Sequence, residues 1–256
     1  MTPYKWSRIL FLTIFLLSGG LWHFGYLHFS VLIVLPAAYL IFLSWAVFQI
    51  ERNLFLTSIN YSDSSPAISI TFDDGPNPDH TPQILETLKK HNVKAAFFCI
   101  GKNVESHPEL AKRIFDEGHI LANHSYSHDK WIDFNNKMGW LDEMNQSNKA
   151  IKTICGKTPR YFRPPYGITT PHLRKALLSS SMMSIGWNVR SLDTLNNNVS
   201  EIIERCMNQL KKGSIVLFHD NLSWSAEVLD KFLIEAKNQK FEVQRLDELI
   251  NKKAYD

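Results

Sequence analysis

The sequence predicts an α/β fold with a largely parallel sheet, organised as an incomplete barrel of about seven strands. Three observations carry this. From residue 67 onward, short apolar runs rich in β-branched and aromatic residues alternate with longer helical patterns. Residues able to do chemistry follow one strand after another rather than clustering in one segment. Ahead of this region, 42 residues from Ile9 to Ile50 contain no Asp, Glu, Lys or Arg.

The elements follow in order. Ala67–Asp73 is an apolar strand, and Thr81-Pro82 opens a helix running to about His91, with Pro in the first turn. Lys94–Ile100 is a second strand. Pro108–Glu117 is helical and stops at Gly118, and His119–Ala122 is a short third strand. A helix over 137–155 ends at Gly156, and Arg160–Arg163 is the next strand end. Helix 171–180, strand 183–189, helix 199–212, strand 214–219, helix 225–239 and a last strand near 241–244 complete the pattern. Residues 67–256 thus form one domain, joined by a polar linker at 53–66 to the apolar segment 1–52.

As a continuous helix, the 42 uncharged residues would extend roughly 63 Å against a hydrocarbon core of about 30 Å. The expectation is therefore two membrane-spanning helices, a lipid bilayer as partner and a multi-pass location in the cell membrane. The side holding the domain is left open. A cleaved leader over residues 1–20 has a poor small-residue signature at SGG.

The chain has 28 Lys+Arg and 25 Asp+Glu. Lys5 and Arg8 are two of the 28, which leaves residues 51–256 with 26 against 25. That balance lacks the basic excess of a nucleic-acid binder, so no nucleic-acid partner is expected. Cys99, Cys155 and Cys206 cannot all pair and contain no CxxC, so neither a disulfide framework nor a redox site is expected.

Asp73-Asp74 follow the first strand, His124 and His128 the third, Arg163 to Tyr166 the fourth, Asp193 the fifth, and His219-Asp220 the sixth. In βα barrels the C-terminal strand ends carry the active site. The four-residue spacing of His124 and His128 would put both imidazoles on one side of a helical turn. With a carboxylate from Asp73 or Asp74, two imidazoles make a metal site with open positions, the catalytic rather than the closed structural kind. Taken singly, DDGP is an ordinary turn, RPPYG a rigid loop and His219 a buried histidine. All three bland readings are hard to sustain together at successive strand ends.

TFDDGP (71–76), HSYSH (124–128), RPPYG (163–167), SLDT (191–194) and IVLFHD (215–220) together resemble the ordered motifs of the polysaccharide deacetylases, the NodB-homology group or carbohydrate esterase family 4. The resemblance covers about residues 66–250. It implies a deformed (β/α) barrel and hydrolysis of the N-acetyl group of an N-acetylhexosamine unit, with zinc as the divalent metal. By this similarity Asp74, His124 and His128 bind the metal, and Asp73 is the base held by Arg163. The Tyr166 N–H serves the oxyanion, and His219, charged by Asp193, is the acid. Tyr166, Leu217 and Pro165 face the substrate, with Leu217 against the acetyl methyl.

Such a set suits amide hydrolysis, which needs a polarised carbonyl, a base for water and an acid for the departing amine. One motif departs: where the family commonly has DxxDW, this chain has Arg190 and Thr194 at the first and last positions. Arg190 has two readings: a structural residue, or a preference for an anionic substrate such as a phosphate-bearing lipid-linked sugar. Two other activities compete: an O-acetyl esterase using the same residues, and a non-catalytic anchored sugar-binding protein.

Overall fold

The computed structural model describes residues 3–256. Eight strands, all parallel to their neighbours, form one sheet: β1 (Ser58–Ile59), β2 (Ser69–Asp73), β3 (Ala96–Cys99), β4 (Ile120–Asn123), β5 (Tyr161–Phe162), β6 (Met183–Ile185), β7 (Val189–Arg190) and β8 (Ile215–His219). Their order is β1-β6-β5-β4-β3-β2-β8-β7. β6 is second from one edge and β7 forms the other, yet residues 186–188 alone join them. So short a link spans the sheet only if the sheet curls, which gives an open half-barrel.

The count of about seven strands is corrected to eight. The run expected as one strand over 183–189 is split at Gly186 and belongs to both sides of the opening. β1 is added within the expected linker. The segment near 241–244 forms no strand; Val243 makes only an isolated bridge to Ile68.

The alternation of side chains explains why β2 is buried throughout. Ile70 and Phe72 face a layer of helices, where they pack with Phe97, Leu121 and Phe218. Ala96, Phe98, Ile215 and Leu217 face the barrel interior instead. The outer layer includes α3 (Thr81–Lys90), α4 (Gly101–Ser106), α5 (Pro108–Asp116), α6 (Lys137–Cys155), α7 (Pro171–Ser180), α8 (Val199–Gln209) and α9 (Ser225–Asn238).

The apolar N-terminal segment folds as α1 (Pro3–His23) and α2 (Val31–Ala46), which pack together through a stacked Phe11–Tyr39 pair with ring centroids 4.2 Å apart. No helix among the described residues is long and apolar enough to cross a membrane. At 1.5 Å per residue α2 reaches roughly 24 Å, less than the hydrocarbon core. α1 is longer, but it includes Lys5, Arg8, Ser18-Gly19-Gly20 and His23, which dilute its hydropathy. The expected spans and the multi-pass membrane location are therefore corrected, and no observation supports the bilayer partner. Just past α2 the chain is drawn into the domain: Ile50 and Leu56 are buried in its core clusters, and the Thr169 N–H donates to the Val47 carbonyl at 2.9 Å.

Candidate active site

Strand register brings the reactive side chains to one level. Asp73 on β2 pairs with His219 on β8, and Cys99 on β3 with Asn123 on β4. The next step along β4 is His124, whose Nδ1 donates to the Arg163 carbonyl at 2.8 Å. That bond fixes the ring with Nε2 toward the carboxylates, the usual device for orienting a ligating imidazole. Burial opposes the charge of His124, but the charge of Asp73 and the bond and charge of Asp74 push the imidazole above its ordinary value.

The adjacent carboxylates diverge because the backbone turns between them. Asp74 has φ 79, in the left-handed region. Its carbonyl accepts from Asn103 Nδ2 at 2.8 Å, and the Gly75 carbonyl accepts from the Ile100 N–H at 2.9 Å. Gly75 is required here: a Cβ would lie 2.0 Å from a carboxylate oxygen of buried Asp220.

Asp73 is nearly inaccessible and hydrogen-bonded by Arg163 Nη1 at 2.7 Å. The Arg163 guanidinium is fully buried and also donates to Thr71 Oγ1, Ile185 O and Gly186 O. It lies 4.0 Å over the Phe98 ring. A buried cation so fully partnered fixes Asp73 and would be costly to leave unpaired.

Asp74 approaches the two histidines instead. Its Oδ1 lies 3.5 Å from His124 Nε2 and 3.4 Å from His128 Nε2, while Asp73 reaches only His124, at 3.8 Å. Ligand atoms from Asp74, His124 and His128 all lie within 4.8 Å of one another, so two imidazole nitrogens and one carboxylate oxygen converge on one point. This donor set fits a divalent metal. Burial opposes the Asp74 charge, but the His124 hydrogen bond and the charges of His124, His219 and His128 hold it well below the usual carboxylate range. Burial and neighbouring His124 push His128 down to about 4, which keeps its Nε2 lone pair available at neutral pH.

The two histidines meet through a loop rather than the expected helical turn. Ser125 and His128 have φ 67 and φ 49, and the rings lie 5.0 Å apart. Glu143 on α6 ties this loop, accepting from the Tyr126 N–H at 2.9 Å, the Ser127 N–H at 2.8 Å and Ser127 Oγ at 2.7 Å.

Across the cleft, His219 Nδ1 meets Asp193 Oδ1 at 2.7 Å, and Asp193 Oδ2 accepts from the His219 N–H at 2.8 Å. Burial opposes protonation of His219, but the bond to Asp193 and the charges of Asp193, Asp73 and Asp74 outweigh it and push the imidazole up to about 9.

Between these groups lies a cavity of about 230 Å³, lined by the two carboxylates, the three histidines, Tyr166, Gly167, Trp187, Arg190, Thr194 and Leu217. Tyr166 has φ 57, and its side chain is half exposed beside His128. The N–H groups of Gly167 and Ile168 turn back onto the carbonyls of Pro164 and Pro165. Among the described residues, none accepts from the Tyr166 N–H. Pro165 is buried in the loop beneath the Tyr166 turn and is not among the residues lining the cavity.

Glu143, Asn103, Trp187 and Asn221 were beyond the sequence reading. Asn221 donates Nδ2 to Asp74 Oδ2 at 3.1 Å, and its place directly after His219-Asp220 was the one available signal.

A buried Arg-held carboxylate, an Asp-paired histidine and a three-donor cluster that could hold a metal face one cleft, an arrangement suited to hydrolysis. A sequence profile of polysaccharide deacetylases matches residues 60–183. A peptidoglycan-N-acetylglucosamine deacetylase of Bacillus cereus is 32% identical over 201 residues, covering 77% of this chain and 72% of that protein. The Listeria monocytogenes enzyme of the same description is 35% identical over 189 residues; the match covers 73% of this chain but only 39% of that longer protein. A crystal structure of a peptidoglycan N-acetylglucosamine deacetylase, in complex with a naphthalenyl N-oxidanyl-benzamide, superposes with TM-score 0.73 at 29% identity, over 78% of this chain and 94% of that one. A carbohydrate esterase family 4 pseudoenzyme from Bacillus anthracis superposes with TM-score 0.68 at 30% identity, over 73% of this chain and 66% of that one. The chain belongs to the polysaccharide deacetylase family.

Proposed function

We propose that the protein removes N-acetyl groups hydrolytically from N-acetylhexosamine units of a polysaccharide or peptidoglycan and releases acetate. The observation that carries this is the facing arrangement of Asp73 and His219 at paired positions of β2 and β8, beside the Asp74–His124–His128 cluster. The catalytic unit is residues 67–256. Asp74, His124 and His128 would hold the metal, for which two imidazoles and one carboxylate favour zinc. Bound there, the metal would polarise the acetyl carbonyl and acidify the attacking water.

Asp73, held by Arg163, takes the proton of that water. The Tyr166 N–H, free of an internal acceptor, donates to the oxygen on which negative charge develops. His219, protonated up to about pH 9, gives its proton to the departing amine nitrogen, and Asp193 stabilises the imidazolium. Leu217 forms an apolar wall for the acetyl methyl.

Acetate release from N-acetylglucosamine oligomers and from peptidoglycan, before and after chelation and on restoring zinc, tests this reading. Activity unaffected by chelation would overturn it. A non-catalytic role is a second reading, favoured by the likeness to a pseudoenzyme; bound metal with no acetate released from N- or O-acetylated oligosaccharides would establish it.

A further inference from the structure

A second cavity, of about 490 Å³, adjoins the catalytic cleft, and Trp187 and Arg190 line both. Its far side is formed by Phe48 to Arg52, where the chain leaves α2 and turns toward β1. All of its lining lies outside residues 60–183, the stretch matching the family profile, so it is built from parts of this chain that the profile does not reach.

The chemistry of the lining is distinctive. Gln49, Glu51 and Arg52 supply donors and acceptors suited to sugar hydroxyls, and Phe48, 61% exposed, supplies a flat apolar ring. Two guanidiniums stand against one carboxylate. Arg190 lies 5.8 Å over the Trp187 ring, whereas Arg52 interacts electrostatically with the adjacent Glu51 carboxylate. Glu51 offsets the charge of Arg52, which leaves one guanidinium charge of the lining, that of Arg190, without a carboxylate to balance it. The planar donor geometry of a guanidinium suits a carboxylate or a phosphate.

We propose that this cavity receives the sugar unit next to the one being deacetylated, and that this unit carries an anionic substituent, a carboxylate or a phosphate, held by Arg52 and Arg190. The proposal rests on the carbohydrate-deacetylase reading and adds the charge of its substrate. A neutral oligomer would fill the catalytic cleft but leave the excess positive charge of this lining unbalanced.

The test is calorimetry on the full-length, metal-loaded Asp73→Asn chain, whose turnover, slowed about 10²–10⁴-fold, leaves substrate intact over a titration. Three probes share one shape: the disaccharide of N-acetylglucosamine and N-acetylmuramic acid with its free lactyl carboxylate, the neutral methyl ester of that carboxylate, and the ester phosphorylated on the muramic sugar. The acid or the phosphate should bind about five- to tenfold tighter than the ester, the size expected of two partly exposed charge pairs. Which of the two gains more identifies the anion. Arg52→Gln and Arg190→Gln should each cut the acid-to-ester ratio to about two, and about 0.5 M salt should do the same by screening. Equal binding of all three probes, no binding of any, or a ratio untouched by both substitutions would overturn the proposal. Acetate release from a neutral N-acetylglucosamine oligomer by the wild-type chain separates the two ideas. Release with equal binding removes the anion site and keeps the deacetylase; a charge preference without release does the reverse.

Discussion

The two sides of the cleft are built differently. On one side, Asp73, Asp74 and His124 extend directly from β2 and β4, and each is held by bonds from buried or neighbouring elements: Arg163 on Asp73, Asn103 and Asn221 on Asp74, the Arg163 carbonyl on His124. On the other side, Asp193 and His219 form a tight pair, but their surroundings, Arg190 and Thr194, are exposed. The first side is over-determined, as a site needing fixed geometry must be. The second combines one rigid pair with a variable rim. The first side is clamped by backbone and buried bonds, while only the His219–Asp193 pair is rigid on the second.

This contrast is breakable at several points. The largest effect should come from His124→Ala, which removes a donor from the cluster. Metal content measured by atomic absorption and acetate release should vanish together; full metal content would take His124 out of the ligand set. Asp73→Asn should separate the two: metal stays, while kcat falls about 10²–10⁴-fold, the usual size for a lost general base. Loss of metal in that variant would mean that both carboxylates ligate.

Asp193→Asn acts on the opposite side. His219 is held up at about 9, so the protonated acid is present below that pH and lost above it. Wild-type kcat/KM should therefore decline as pH rises through about 9. Asp193→Asn should move this alkaline limb toward the ordinary histidine value of about 6.5 and lower the rate roughly 10²-fold. An unmoved limb would show that the limb belongs to another group. The smallest effect is expected from Glu143→Gln, which loosens the His124–His128 loop without touching a reacting atom. Metal affinity should weaken about tenfold, as for other residues that support ligands, with kcat at saturating metal nearly restored. Unchanged affinity would mean that Ser125 and the strand ends hold the loop alone.

Much of this site was legible in the chain. Asp73, Asp74, His124, His128, Arg163, Asp193 and His219 stand at consecutive strand ends, and periodicity locates strand ends because burial forces alternation. The choice between adjacent carboxylates was open to residue-level reading; the left-handed turn at Asp74, against the buried bond from Arg163 to Asp73, supports assigning one to metal and one to water. Glu143 was invisible because it sits on the polar-looking face of a helix with no motif, and its three hydrogen bonds exist only once α6 docks over the loop.

The apolar N-terminus teaches the converse. Its composition suggested spans, but span length depends on where the chain turns, and Gly25 with the following residues divides the run into helices of 21 and 16 residues. By itself the sequence determined the α/β class and the order of the motifs, and it named the residues that meet in the cleft, because these rest on local periodicity and residue chemistry. Tertiary structure alone decided three things. It joined β6 to β7 across the sheet opening, turned Asp74 away from Asp73, and opened a second, guanidinium-lined cavity beside the cleft. Each depends on contacts between segments far apart in the chain, which no local pattern records.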